Sequence, residues 1–177
     1  RRGHHVDTGI VRIFNTYGPA MRDDDGGVVS TFIQQALDGE PLTVAGDGHQ
    51  TRSLCYVEDT VDAIVRMGMS LHPGPLNVGN PEETSILGLA EQIIKITRSS
   101  SVIEFVERSP DDLDTCQPDV SMAGAQLGWR PRTDLATGLG RTVHGEMVAR
   151  LLRDASAFTS TEAFWGLQIN GSTVRVH

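Results

Sequence analysis

The chain has 177 residues, 38% of them hydrophobic and 21% charged, with a formal net charge of −8. That length supports one ordinary domain with its own core, and the apolar fraction excludes disorder over the main body. The acidic balance argues against a nucleic-acid surface, which needs a basic field, and no run approaches the roughly 18 apolar residues of a membrane span.

Lys95 is the only lysine, so cationic chemistry would rest on arginine or histidine rather than on a Schiff base. Cys55 and Cys116 are far apart and lack metal-ligand spacing, which reads as two free thiols of a cytoplasmic protein. Arg1-Arg2-Gly-His-His does not have the pattern of a signal peptide. No metal site is expected; Asp23-Asp24-Asp25 reads as a solvated acidic loop.

In chain order, Ile10 to Phe14 has the apolar pattern of a strand buried on both faces of a parallel sheet, interrupted by Arg12. Asn15-Thr16 and then Tyr17-Gly18-Pro19 end it, a turn expected to lead the chain out of the sheet. Val28, Val29, Phe32, Ile33, Ala36 and Leu37 recur at helical spacing, and Gly39 stops that helix. Pro41 to Ala45, the turn Gly46-Asp47-Gly48 and Thr51 to Val57 read as a strand, a tight turn and its returning strand. Asp59 opens a helix whose buried stripe is expected at Val61, Ile64, Val65 and Gly68.

Leu76 to Val78 reads as a strand, with Thr84 or Ser85 capping a helix that buries Ile86, Leu89, Ala90, Ile93 and Ile94. Val102 to Val106 is a further strand, followed by a polar loop over Ser109 to Pro118. Asp119 caps a short helix ending near Gly128-Trp129. A last helix runs from about Asp134 to Leu152, with Leu135, Leu139, Val143, Met147 and Leu151 on one stripe. The alternation of strands and helices gives an α/β class. Residues 1–152 form the main unit; residues 153–177 are a tail in which Asn170-Gly171 would turn a small hairpin.

The segments "VRIFNTYGPAM", "GGVVSTFIQQALDGEPLTVAGDGHQTRSLCYVEDTVDAI", "LNVGNPEETSI" and "QPDVSMAGAQLGWRP" together resemble the C-terminal half of extended short-chain dehydrogenase/reductases acting on nucleotide sugars, the NAD-dependent epimerase/dehydratase family. Within it they are most similar to UDP-glucuronate decarboxylase, or UDP-xylose synthase, over about Val6 to Ala149. The dTDP-glucose 4,6-dehydratases usually show Asn-Asn-Tyr-Gly-Pro and an Arg-Asp-Trp after their hairpin. Asn15-Thr16, Gln50-Thr51-Arg52-Ser53 and Asn80-Pro81-Glu82-Glu83 favour the decarboxylase; a dehydratase or another UDP-sugar epimerase is the alternative. The implied fold is the C-terminal part of an extended Rossmann-type enzyme, carrying the substrate-binding subdomain without the N-terminal dinucleotide-binding half.

By this resemblance Asn15 would bond the nucleotide sugar, while Thr16 would approach NAD and Arg22 would lie near it. In an open α/β sheet ligands bind beyond the carboxyl ends of strands, which suits Asn15 and Thr16; an Asx turn closing the strand is the other reading of Asn15. Val28, Val29, Ser30, Thr31 and Phe32 match the segment that contacts uridine, where helix N-terminal amides are available. Val44, Ala45 and Gly46 match the uracil pocket, with Ala45 in place of the usual tyrosine. Arg52 matches the arginine that grips the diphosphate, a task suited to its planar fork; read without the resemblance, it would pair with Asp47 or Glu58.

In this family NAD takes hydride from C4 of the glucuronate, the resulting 4-keto acid loses carbon dioxide, and the hydride returns to give UDP-xylose. That requires a Gly-rich fingerprint and a Tyr-x-x-x-Lys pair, neither of which occurs in this sequence. On the order of 150 residues of Rossmann domain are therefore expected to lie outside it. No catalytic residue is assigned within the chain. Cys116 stands where the family carries an arginine proposed as proton donor, and a thiol supplies no fixed positive charge; Arg108 is the nearest arginine upstream. The family's homodimer is expected of the full-length enzyme. The contrasting reading is a binding or remnant module without catalysis.

Overall fold

The computed structural model describes residues 7–21, 27–109, 114–115, 117–160, 167–169 and 172–174. Strand β1 (Val11–Ile13) pairs in parallel with β6 (Leu76–Val78), with Val11 opposite Leu76 and Ile13 opposite Val78. Directly beyond β1, the short β2 (Thr16–Tyr17) pairs in parallel with β5 (Cys55–Tyr56). Helix α1 (Val28–Asp38) buries Val29, Phe32, Ile33 and Ala36 on one face. It ends at Gly39, which takes the left-handed conformation (φ 72°) that lacks a steric penalty only for glycine.

Strand β3 (Leu42–Ala45) then pairs in parallel with β8 (Ile103–Val106). Strand β4 (Thr51–Ser53) pairs antiparallel with β7 (Glu83–Ser85). Helices α2 (Val57–Met69) and α3 (Ile86–Thr97) follow β5 and β7, and α3 is capped by the Ser85 hydroxyl, which accepts from Gly88 N at 3.0 Å. Short α4 (Ser121–Leu127) leads through Trp129 to the long α5 (Leu135–Ser160). Strands β9 (Leu167–Ile169) and β10 (Ser172–Val174) pair antiparallel.

Two buried clusters hold these elements. Phe32, Ile33, Leu42, Val44, Leu89, Ile93, Leu139 and Val143 join α1, β3, α3 and α5; each such side chain contributes about 1.5–3 kcal/mol on burial. Cys55, Ala63, Val78, Ala123 and Trp129 join β5, α2, β6 and α4. Trp129 is fixed in place as its Nε1 donates to Asp59 O at 2.9 Å, while the Asp59 carboxylate accepts from Thr133 N at 2.9 Å. The buried indole N–H and the Asp59 carboxylate are thereby matched with partners, as buried polar groups generally are.

Several expectations from the sequence are corrected. Strands β3 and β4 do not form a hairpin. The edge of β3 facing away from β8 is closed by side chains: Thr43 N donates to Gln35 Oε1 at 3.1 Å, and Ala45 O accepts from Gln50 Nε2 at 2.7 Å. With those groups satisfied, β4 is released to pair elsewhere. The turn expected to lead the chain out of the sheet at Tyr17-Gly18-Pro19 begins later, since Tyr17 still pairs with Tyr56 in β2, and its side chain points inward. It is buried, packs edge-to-face on Tyr56 with ring centroids 5.7 Å apart, and its phenol is pushed well above its ordinary pKa, chiefly by burial.

Helix α2 buries Asp59, Thr60, Ala63 and Met67, whereas Val61, Ile64 and Val65 are exposed. On α5, Leu139 and Val143 are buried, but Met147 and Leu151 lie at the surface. Strand β1 is parallel, as its pattern implies, yet Ile13 is 51% exposed, so its burial on both faces does not occur within this chain.

Candidate functional site

Helix α1 and strand β3 form a helix-turn-strand unit in which Gln35 lies level with Thr43, joined by Gln35 Nε2 to Thr43 Oγ1 at 2.9 Å as well as by the main-chain bond. From Thr43 to Gly46 the strand advances about 10 Å, the length of six or seven helical residues. Gly46 therefore stands near the first turn of α1. The first intrahelical amide is that of Thr31, which donates to Gly27 O at 3.0 Å. Helical geometry leaves the N–H groups of Val28, Val29 and Ser30 without such an acceptor, and Gly27 provides no side-chain cap. The Ser30 hydroxyl turns back onto Gly27 O at 2.8 Å.

Of the residues assigned to uridine, Val29, Ser30, Phe32 and Val44 are buried, Val28, Ala45 and Gly46 half-buried, and Thr31 exposed. What this end of the unit presents is thus main-chain amides, Thr31 and the Gly46 turn. Gly46 has a φ of 63°, and a Cβ there would lie 3.3 Å from Arg108 Cδ. The Arg108 stem accordingly covers the glycine. Its guanidinium pairs with Asp114 Oδ1 at 2.8 Å; Asp114 O accepts from Thr51 N at 2.9 Å, and Arg52 Nη1 donates to Thr51 O at 2.7 Å.

Gly46, Arg108 and Thr51-Arg52 are thus tied into one neighbourhood, although Arg108 is remote from the other two in sequence. Nothing local in the sequence marks Arg108 for this position. A hydrogen bond from His49 N holds the nearby Asp47 carboxyl below its ordinary pKa. Glu58, one partner considered for Arg52, pairs with Arg141 at 3.0 Å instead. Helix N-terminal amides that lack an intrahelical acceptor, together with guanidiniums, suit an anion such as a diphosphate.

Residues 51–56 connect this neighbourhood to the end of the β1–β6 sheet. Leu54 O accepts from Asn80 Nδ2 at 3.2 Å, and Cys55 N donates to Asn15 O at 2.9 Å. Asn80 is buried at the end of β6, with its Oδ1 accepting from Glu82 N at 3.0 Å; sequence reasoning used it only to discriminate between families. Asn15 is exposed beyond the carboxyl end of β1, and its side chain makes no hydrogen bond among the described residues, so the Asx turn is not formed. Thr16 is half-buried, and its hydroxyl donates to Phe14 O at 3.1 Å and lies 3.1 Å from Thr60 Oγ1. Arg22, Asp23-Asp24-Asp25 and Cys116 lie outside the described residues. Among the described residues no group of His, Cys, Asp and Glu could hold a metal, and no helix is long and apolar enough to cross a membrane.

Residues 1–79 match the model of the NAD dependent epimerase/dehydratase family. UDP-glucuronic acid decarboxylase 3 of Arabidopsis thaliana is 49% identical over 138 residues, covering 78% of this chain and 40% of that protein. The chain is similar to this family over most of its length. UDP-glucuronic acid decarboxylase 1 of Xenopus tropicalis is 45% identical over 139 residues, 78% of this chain and 33% of that relative. The chain therefore spans well under half the length of these curated relatives.

Among solved structures, the UDP-glucuronic acid 4-epimerase of Bacillus cereus in complex with UDP-glucuronic acid and NAD superposes with a TM-score of 0.75 at 28% identity, over 83% of this chain and 48% of the epimerase. A UDP-N-acetylglucosamine 4-epimerase from Methanobrevibacter ruminantium M1 gives a TM-score of 0.78 at 25% identity, over 83% of this chain and 48% of that one. The α/β architecture is that of Rossmann-type epimerases, represented here by about half of their length.

Proposed function

We propose that this chain is the nucleotide-sugar-binding half of a UDP-glucuronate decarboxylase, the enzyme that converts UDP-glucuronate to UDP-xylose and carbon dioxide. The observation that carries the reading is the neighbourhood of the Gly46 turn, Arg108 and Thr51-Arg52 at the end of β3, the strand that runs back along α1 from Gln35. In this reading the amides and Arg52 hold the diphosphate, Ala45 and Gly46 flank the uracil, and Asn15 meets the sugar beyond β1. Arg108 adds a second guanidinium that the sequence motif does not contain. The identity to plant and animal UDP-glucuronic acid decarboxylases favours that sugar acid over a neutral hexose.

NAD would supply the hydride acceptor for oxidation at C4. The fit of the described residues to it is slight, because the Thr16 hydroxyl is already engaged with Phe14 O and Thr60. The role of this half is therefore to bind and orient the sugar nucleotide, in a cytoplasmic enzyme whose dinucleotide site is built by other residues.

Calorimetry of the chain with UDP and with NAD tests the reading. UDP should bind more tightly, and Arg52→Ala should weaken UDP about 10- to 100-fold while changing uridine less, because a charged hydrogen bond to phosphate contributes about 1.5–3 kcal/mol. Tighter binding of NAD, or equal losses for UDP and uridine, would overturn the assignment.

A further inference from the structure

Helix α5 carries two apolar faces, and the body of the chain covers one of them. At about 100° per residue, Leu139, Val143, Glu146 and Arg150 fall on one side of the axis. That side packs on the body: Leu139 and Val143 are buried in the larger cluster, and Arg150 bonds Asp38 and Gln34 of α1. The neighbouring arc of about 140° carries Met147, Leu151, Val148 and Leu152. Nearer the start of the helix this arc is covered, since Arg141 pairs with Glu58 at 3.0 Å and lies 5.6 Å from the centroid of the Tyr56 ring. From Met147 onwards it is open, with Met147, Leu151, Val148 and Leu152 exposed by 48%, 68%, 40% and 65%. Helix α5 runs on to Ser160, and the same period brings Ala155 and position 158, a phenylalanine, onto the arc.

The sequence that follows supplies a second apolar face. In the β9–β10 pair Leu167 stands opposite Val174, Gln168 opposite Thr173 and Ile169 opposite Ser172. Strand alternation puts positions 167, 169, 172 and 174 on one face, three of them Leu, Ile and Val, and positions 168 and 173, Gln and Thr, on the other. A two-stranded hairpin is marginal by itself and needs a surface under its apolar face. The helix offers one of matching size: a three-residue strand extends about 10 Å, and Met147 to Ala155 rises about 12 Å. The connection is long enough as well. Residues 161–166 span up to about 20 Å when extended, and the return along the helix from Ser160 is about 12 Å to Leu152 and about 20 Å to Met147.

Large apolar side chains gathered in one exposed stripe mark an interface. We propose that the β9–β10 hairpin folds back in cis onto α5, laying the face that carries Leu167, Ile169 and Val174 on the stripe of Met147, Val148, Leu151 and Leu152. Both partners belong to one chain and are joined by a short connection, so the contact avoids the entropy of association and adds only a small loop-closure cost. It takes the stripe out of water, where it would otherwise offer a second copy a place to associate. The segments involved lie at and beyond the end of the stretch, about Val6 to Ala149, in which the sequence resembles the nucleotide-sugar enzymes. The contact is therefore a feature of this chain and does not depend on which sugar nucleotide is bound.

Amide exchange and methyl NMR on the full chain test the contact. Exchange at Leu167 and Val174 should be slower than in an unstructured chain by about tenfold or more and independent of protein concentration. The Met147 methyl group should show nuclear Overhauser contacts to the methyls of Leu167 or Val174. The double variant Leu151→Lys/Leu152→Lys, which keeps good helix formers on α5, should abolish the protection. So should Val174→Lys, whereas Thr173→Lys, on the other face of the hairpin, should keep it. Slow exchange at Leu89 and Ile93 in the buried cluster reports that the body of each variant stays folded. Unprotected hairpin amides in the parent, absence of the methyl contacts, protection that survives Leu151→Lys/Leu152→Lys, equal losses from Val174→Lys and Thr173→Lys, or protection that fades on dilution as a dimer's would, each overturns the proposal. UDP affinity should be the same in the parent and all three variants, so failure here is distinct from failure of the functional reading.

Discussion

The phenol of Tyr17 occupies the space above Gly138, so that a Cβ at position 138 would lie 2.8 Å from Tyr17 Cζ and 3.1 Å from Tyr56 Cδ2. Helix α5 can approach the end of β2 only because it has no side chain there, and Tyr17 Oη completes the contact by donating to Leu135 O at 3.4 Å. Gly138→Ala should therefore destabilise the chain by roughly 1–3 kcal/mol, the usual cost of overpacking. Gly140, with nothing within 4 Å of its Cβ position, is the control. There the same substitution should be neutral or stabilising by up to about 1 kcal/mol, since alanine is the better helix former. Urea unfolding of the two variants checks both signs.

Glu146 joins α5 to α1. Burial alone would raise its pKa, but hydrogen bonds from Arg153, Gln34 and Arg150 hold it below the ordinary value. A depressed carboxylate contributes stability above its unfolded pKa, near about 4.3, and loses it as pH falls through the folded value. Glu146→Gln should cost roughly 1 kcal/mol at pH 7, and the difference from the parent should shrink to nothing as pH falls below about 4. Unfolding free energies measured from pH 7 to pH 2.5 would show a parallel offset at all pH values if the carboxylate did not matter.

Cys55 is wholly buried beside Val78 and Trp129, and burial pushes its thiol up. A protonated, inaccessible thiol is a poor nucleophile. In a Cys116→Ser background, Cys55 should react with an aromatic disulfide reagent at least 100-fold more slowly in buffer than in denaturing urea, following opening of the fold. Comparable rates in the two conditions would mean that β5 is exposed in the native chain.

The chain alone, given UDP-glucuronate and NAD, should form no UDP-xylose detectable by NMR of the anomeric protons. Its residues include neither a Gly-rich fingerprint nor a Tyr-x-x-x-Lys pair. Turnover by the purified chain would place a catalytic base among residues assigned here to structure.

Local chemistry in the sequence determined much of the fold. The apolar spacing of Val29, Phe32, Ile33 and Ala36 with a terminal glycine specifies α1, and Ser85 before Ile86, Leu89 and Ile93 specifies the capped α3. These signals are legible because helix periodicity, caps and left-handed glycines act within a few residues. The motif that places Asn15 beyond β1 and Arg52 beside the Gly46 turn is likewise written in order along the chain.

Only the tertiary structure decided pairings and faces. Whether β3 turns back on β4 depends on Gln35 and Gln50, whose amides satisfy its second edge, and on β8, which arrives much later in the sequence. Helix α2 has two adjacent apolar flanks, and periodicity cannot tell the one that packs from the one left open. Its orientation follows from Trp129 on Asp59 and from Arg66 on the end of α4, contacts between residues about sixty or seventy positions apart. Such choices are long-range because a strand edge or a helix face has no partner until the chain has folded around it.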